Sequence, residues 1–410
     1  MKNEQSQLFI ILLVVFIGFI GTSMPYPIFP PLFLHSNQET IMPVGWNSDA
    51  RNILLGIALA AYPMGQFFGL PILGSYSDHY GRKKILIVSL IGSLFGYALS
   101  AISLQKHWLL PLLLSRFLTG LMEGNIAIAR AMAADLIGVS KYKSFGKINA
   151  AASIGYLIGP LLGGFLSDKQ LFHGFSFATP FFIATIFTLI AIVLVFLKLK
   201  ESDKKVIEQP LSLLRQFNLI KRFHLLFRNP TLKYLLITSS VFTFAIDIFY
   251  EFGPVYLTST WLMTPAWLAL YNVALCATLA IGHGWLSHYF SIHFSNKKII
   301  IAAIITTAII FYLIITWPSK AWVFLLFALS GFSIAIGTNN ITVQISNNAA
   351  NTIQGEVMGS QLGLRMLGDA IICFAGGFII TASVAAPLII SSVIALIAVL
   401  IYIKKLPRKD

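Results

Sequence analysis

Twelve runs of about 20 apolar residues, the length of a membrane-crossing helix, alternate with short polar stretches along this chain. They lie at approximately 8–34, 52–74, 84–104, 108–135, 145–167, 177–198, 232–258, 265–290, 298–317, 321–345, 355–382 and 386–404. None alternates with the period of two that marks a barrel strand, and open backbone in lipid leaves amides unsatisfied, so the pattern predicts helices throughout. The fold class is therefore an all-α membrane protein with twelve transmembrane helices. The first run is too long for a signal-peptide core and precedes no small-residue cleavage site, so it is expected to remain as the first helix.

The longest polar interruption, roughly 200–229, falls after the sixth run and divides the chain into residues 1–198, a linker at 199–230, and 231–410. In that linker Leu213, Phe217, Ile220, His224 and Phe227 recur at helical spacing. The segment reads either as an amphipathic helix on the membrane surface or as a solvated linker. Lys and Arg set the orientation. Arg82, Lys83, Lys84, Lys141, Lys143, Lys147, Lys297, Lys298 and the tail from Lys404 lie on one side, against Arg51, Lys106, Lys169 and Lys320 on the other. This asymmetry places both termini in the cytoplasm of a cell whose inner membrane the protein spans.

Composition agrees with lipid as the solvent, at 57% hydrophobic and 11% charged residues with a mean hydropathy of +0.81. The net charge of +14 would suit nucleic acid, but its bases sit in the loops between apolar runs, so nucleic acid is not an expected partner. Cys276 and Cys373 both lie within apolar runs and predict neither a disulfide nor a metal pair. No Gly-x4-Gly-Lys-Ser/Thr stretch is present to hold nucleotide phosphates, which argues against an enzyme or an ATP-driven pump. No cofactor is expected.

Between the second and third runs stands Gly74-Ser-Tyr-Ser-Asp78-His-Tyr-Gly81-Arg82-Lys83-Lys84. It reads as a short polar loop, and its pattern resembles the signature loop of major facilitator superfamily transporters. A weaker echo, Gly284-Trp-Leu-Ser-His288 followed by Asn296-Lys297-Lys298, lies at the matching place in the second half, as an internal repeat of six helices would give. In the fifth run, Gly146, Gly155, Gly159-Pro160 and Gly163-Gly164 resemble the antiporter motif of drug:proton exporters. Physically, glycines four apart bare one helix face for a close neighbour, and Pro160 removes a backbone hydrogen bond and can bend the helix. Gly355, Gly359 and Gly363 give the eleventh run a similar face. The resemblance implies a cytoplasmic gate in which Asp78 docks at the start of the eleventh helix near Gly355, with Glu356 competing, and Arg82 pairs with Asp135.

Charges inside the runs are costly in hydrocarbon and so are candidates for function. The fourth run carries Arg116, Glu123 and Arg130 at spacings of seven, on nearly one helix face. They read either as a coupling switch, in which Glu123 shares its charge with the arginines, or as a static ion network. Arg116 followed by Gly120 resembles the arginine motif of proton-coupled members, with Glu123 where that motif has a small residue. In the seventh run Asp247 and Glu251 are one turn apart beside Tyr250, and two carboxyls that close are expected to retain a proton between them. Glu251 reaching outer water, or a structural pairing, is the alternative. Arg365 and Asp369, also one turn apart, predict an intrahelical ion pair. The first run contains Pro25-Tyr26-Pro27 and Pro30-Pro31 and no charge, which directs the search for a proton site to the fourth and seventh runs. Tyr26, Arg130, Tyr250, Tyr271, Asn339, Asn340, Gln344 and Arg365 are expected to line a mostly apolar substrate cavity.

These features predict a proton-coupled secondary transporter that exports amphiphilic small molecules, a drug or a metabolite such as a siderophore, by alternating access as a monomer. An importer of a small nutrient on the same fold is the alternative.

Overall fold

In the computed structural model, which describes residues 2–34, 41–42, 45–135, 141–201, 230–316, 319–348 and 354–405, twelve helices are long and apolar enough to cross a membrane. They are α1 (Lys2–Ser23), α2 (Ser48–Tyr80), α3 (Arg82–Gln105), α4 (Leu109–Met122 continued by Gly124–Asp135), α5 (Lys141–Ser167), α6 (Thr179–Lys198), α7 (Pro230–Trp261), α8 (Pro265–His293), α9 (Asn296–Thr316), α10 (Lys320–Asn348), α11 (Gln354–Ala382) and α12 (Ala386–Lys405). No strand occurs among the described residues. Large apolar side chains such as Phe95, Leu110, Phe196 and Leu197 are more than 60% exposed, a surface that only lipid solvates comfortably.

Four helices depart from the apolar pattern for local reasons. The first run does not form one helix: α1 stops at Ser23, and a separate short helix follows at Phe29–Leu34. Pro25 and Pro27 deny the backbone the amide hydrogens a continuing helix needs, whereas Pro30 and Pro31 fall in the first turn of the next helix, where none is required. The polar segment from Gly74 is not a loop either. Helix α2 runs through it to Tyr80, and the only non-helical residue before α3 is Gly81, at φ +99°. That left-handed value favours glycine, and a Cβ there would stand 2.9 Å from Glu201 Oε2. Glu201 in turn accepts from the backbone N–H of Lys83 at 3.0 Å, so an acid from the end of the first half caps α3. Helix α4 is interrupted at Glu123, and α8 contains a π-helical turn at Gly282–Leu286, the site of the half-repeat glycine.

The chain clusters into two compact units, 1–217 with 264–269, and 218–263 with 270–410. In the first, α1 packs on α5 and α6, α2 on α4, and α3 on α4 and α6; in the second, α7 packs on α11 and α12, α8 on α10, and α9 on α10 and α12. These are the same pairings six helices apart, the internal repeat expressed as packing. The core of the first unit includes Leu8, Ile11, Val14, Val15, Leu86, Leu90 and Ile128. In the second, Phe249 stacks on Phe311 with ring centroids 4.3 Å apart and tilts onto Phe327 at 4.8 Å. The amphipathic segment at Leu213–Phe227 lies outside the described residues.

Candidate functional site

The α5 glycines form a close contact within the first unit, and the neighbour is α1. A Cβ at Gly155 would lie 2.7 Å from the Phe16 carbonyl, one at Gly159 would lie 2.7 Å from the Ile20 carbonyl, and Gly163 sits against the backbone of Met24. Since lipid offers no hydrophobic drive for helix association, such backbone contact is where membrane helices gain packing. Pro160 is buried within the helix, and the side-chain environment of Gly146 lies outside the described residues.

Helices α2 and α4 approach as closely, and this contact builds the polar centre of the first unit. Gly120 meets the backbone of Tyr62, which brings the Tyr62 ring under the guanidinium of Arg116, with Cζ 4.6 Å from the ring centroid. The ring of Phe29 lies on another side at 5.7 Å. Arg116 is 3% exposed, and its Nε and Nη1 find no hydrogen-bond partner. Its charge is thus held by aromatic faces.

Glu123, 1% exposed at the interruption of α4, turns to α1 instead of to an arginine. Its Oε1 accepts from the Thr22 hydroxyl at 3.3 Å, and a Cβ on Gly18 would come within 3.1 Å of the same oxygen; its Oε2 is unpartnered. One half of the expected ion network is therefore corrected: no ion pair joins Arg116 and Glu123, while the side chain of Arg130 lies outside the described residues. The physical reason is that Tyr62 and Phe29 supply the arginine's partner while a hydroxyl supplies the acid's. Around them, the buried Ser93 hydroxyl, Tyr97 hydroxyl and Asn125 carbonyl oxygen are also without partners. Thr22 and Tyr62 belong to this centre and were missed by sequence reasoning, because neither is charged and only the helix contacts bring them to the acid.

The second unit holds the other acids. Arg365 reaches across from α11 to Asp247 on α7, with Nη2 2.8 Å from Oδ1 and Nε 3.3 Å from Oδ2. This side-on pair replaces the expected intrahelical pair with Asp369: a bidentate geometry between helices serves two oxygens at once, and one turn along a helix does not. It also gives Asp247 a base as its partner. Glu251 has Asp369 as a neighbour, and with Cys373 the three place oxygen and sulfur atoms within 4.8 Å of one another. Cys373 Sγ donates weakly to Asp369 Oδ1 at 3.9 Å. These are donor types that ligate divalent cations, and this is the one such group among the described residues. Asp369 could have been found from sequence as a third acid on facing helices, had Arg365 not offered a nearer partner in the chain.

Several residues expected to line a cavity make hydrogen bonds between helices. The Tyr271 hydroxyl donates to the Lys320 carbonyl at 2.9 Å while its ring packs on Phe324 and Phe327. Asn339 and Asn340 both donate to the Ser287 hydroxyl, at 2.8 and 3.1 Å, tying α10 to α8. Gln344 accepts from Tyr402 at 2.9 Å, tying α10 to α12. Tyr26 and Tyr250 are half-buried, Tyr26 in the turn after α1 and Tyr250 beside Phe249.

At the junction of α2 and α3, Asp78 Oδ1 lies 3.2 Å from Arg82 Nη2, an ion pair one turn apart whose arginine is nearly buried. A Cβ on Gly74 would meet nothing within 4 Å. The expected partners of this gate, the side chain of Asp135 and those of Gly355 and Glu356, lie outside the described residues.

Comparison with known proteins fits this architecture. Residues 11–372 match the family model of the Major Facilitator Superfamily. The class C tetracycline resistance protein of Escherichia coli is 26% identical over 392 residues, covering 94% of this chain and 91% of that protein. The class H tetracycline resistance protein of Pasteurella multocida is 32% identical over 197 residues; that match takes in 48% of this chain and spans less than half of the relative, 45%. Among solved structures, a D-xylose-proton symporter superposes with a TM-score of 0.79 at 17% identity, covering 99% of this chain and 98% of that one, a likeness of fold. A match over most of the chain, the six-plus-six packing and the twelve spans lead to one conclusion: the chain belongs to the Major Facilitator Superfamily, a class of multi-pass membrane transporters of small molecules.

Proposed function

We propose that the protein is a proton-driven exporter of amphiphilic small molecules, working as a single chain in an inner membrane with both termini in the cytoplasm. The observation that carries this reading is Glu123. A carboxyl group 1% exposed in the middle of a membrane helix, bonded by a hydroxyl and lacking an ion pair, is stable there chiefly as a group that gains and loses a proton. Asp369 and Glu251, gathered with Cys373 in the other unit, are a second place where carboxyls crowd together, so the proton-coupling set becomes Glu123, Glu251 and Asp369, with Asp247 held by Arg365.

Export is favoured by the glycine face of α5 in its antiporter-like pattern and by the tetracycline resistance proteins among the relatives, since a transporter confers resistance by moving a drug out. The test is transport in proteoliposomes across an imposed pH gradient, with tetracycline, cationic dyes and polycarboxylates as substrates. Antiport requires that an acidic lumen drive substrate inward as protons leave, and that Glu123→Gln lose this response while retaining counterflow, which needs no net proton movement. Substrate moving in the same direction as the protons would make the protein an importer and overturn the assignment.

A further inference from the structure

We propose that the hydroxyls of Thr22 and Tyr62 are the proton path to Glu123, an inference that rests on the proton-coupled reading above. Four side chains from three helices form one line of hydrogen bonds. Glu123 Oε1 lies 3.3 Å from Thr22 Oγ1, Thr22 Oγ1 lies 2.7 Å from the Tyr62 hydroxyl oxygen, and that oxygen accepts from Gln66 Nε2 at 3.4 Å. The line begins at an acid 1% exposed and ends at Gln66, which is only partly buried. Tyr62, itself 5% exposed, joins Thr22 to Gln66, so its hydroxyl stands between the buried end of the line and the partly buried one.

A hydroxyl donates one proton and accepts through its lone pairs, so the line has two polarities. With Glu123 ionised, Tyr62 donates to Thr22 and Thr22 to the carboxylate. A proton from hydronium beside Gln66 bonds to the Tyr62 oxygen while the Tyr62 proton passes to Thr22 and the Thr22 proton to Glu123. Each O–H bond formed is matched by one broken, water is left where hydronium was, and nothing is oxidised. Afterwards the acid donates to Thr22 and the line points outward. Rotation of the hydroxyls resets it, and the Gly18 carbonyl, 3.0 Å from Thr22 Oγ1, holds that hydroxyl meanwhile.

The surroundings enforce a concerted passage. Arg116 of α4 stands 4.6 Å over the Tyr62 ring, and a fixed positive charge at that distance in a poorly solvated site disfavours any pause with an extra proton on Tyr62. The other ionisable groups facing this point are Tyr97 of α3 and Tyr26 beyond α1. The Tyr97 hydroxyl makes no hydrogen bond, so it is not a link in the line. Unpartnered Glu123 Oε2 and Asn125 Oδ1 leave polar atoms for water behind the acid, which is the competing route.

The test follows the infrared carboxylic-acid band of Glu123, identified by its loss in Glu123→Gln, after a rapid pH drop on the reconstituted full chain. In Tyr62→Phe and Thr22→Val the band is expected to appear about tenfold more slowly or worse, the scale at which a positioned proton-transfer group contributes, yet to reach the wild-type amplitude. Thr22→Ser, which keeps a hydroxyl, is expected to restore the rate. Gradient-driven transport should slow in step, with the final accumulation ratio unchanged, because a relay alters rate and not equilibrium. A purely structural role would instead change the amplitude or the melting temperature and leave the rate alone. Wild-type rates in both variants would overturn the relay. A band that titrates normally in a protein indifferent to an imposed gradient would overturn the transport reading and leave the relay standing.

Discussion

The buried charges Asp247, Arg116 and Glu123 each find a partner that its position in the sequence does not name. Asp247 is held by Arg365, 118 positions away, through two hydrogen bonds on one edge of the guanidinium. Removing the arginine leaves an acid that is 3% exposed without its base, and breaking a buried pair from one side costs about 3–5 kcal/mol, less where one partner is half exposed as Arg365 is. Arg365→Gln is therefore expected to lower the melting temperature in detergent, Arg365→Lys to do so less, and Asp247→Asn in the same chain as Arg365→Gln to recover most of the loss. A double variant no more stable than the single one would mean that the pair is incidental. Arg116 shows the same principle with aromatic rings as the counterpart, an outcome that a reading limited to charges could not reach.

At the scale of elements, the bare faces of α5 and α4 decide where polar side chains meet. Adding a methyl group at Gly159 drives it into the Ile20 carbonyl and the Ser23 side chain of α1, and over-packing of this kind costs about 1–3 kcal/mol. Gly159→Ala is accordingly expected to lower thermal stability and to slow transport, whereas Gly74→Ala, with open space around it, should leave the melting curve unchanged. Equal melting temperatures for the two variants would contradict the close contact. The interruption of α4 at Glu123 belongs to this scale too. The Glu123 N–H bonds the Gly120 carbonyl at 3.1 Å and its own carbonyl receives Ile126 N–H at 3.2 Å, a tightened turn that ends one helical piece and begins the next at the acid.

For the whole molecule, the distribution of Lys and Arg makes a topological prediction. Single cysteines introduced at Lys83 and Lys297, in a background lacking Cys276 and Cys373, should resist a membrane-impermeant thiol reagent applied to intact cells, while one at Lys169 should react. Labelling at Lys83 from outside would invert the assigned orientation and with it the direction of transport.

Much of this was legible in the sequence because lipid is an exacting solvent. A segment must be apolar for about 20 residues to cross it, so the twelve runs, their division into six and six and the family motifs could be read without coordinates. The break between α1 and the Phe29–Leu34 helix was not read, because the run 8–34 is apolar throughout, although Pro25, Pro27, Pro30 and Pro31 cause it through local backbone chemistry. The pairing of charges was not legible either. Arg365 is one turn from Asp369 in sequence but bonds Asp247, and Glu123 lies seven positions from two arginines yet bonds Thr22, because a side chain is satisfied by whichever neighbouring helix presents an atom with the right geometry. Which helix that is depends on glycine contacts such as Gly120 on Tyr62 and Gly159 on Ile20, and these emerge only when the helices are assembled.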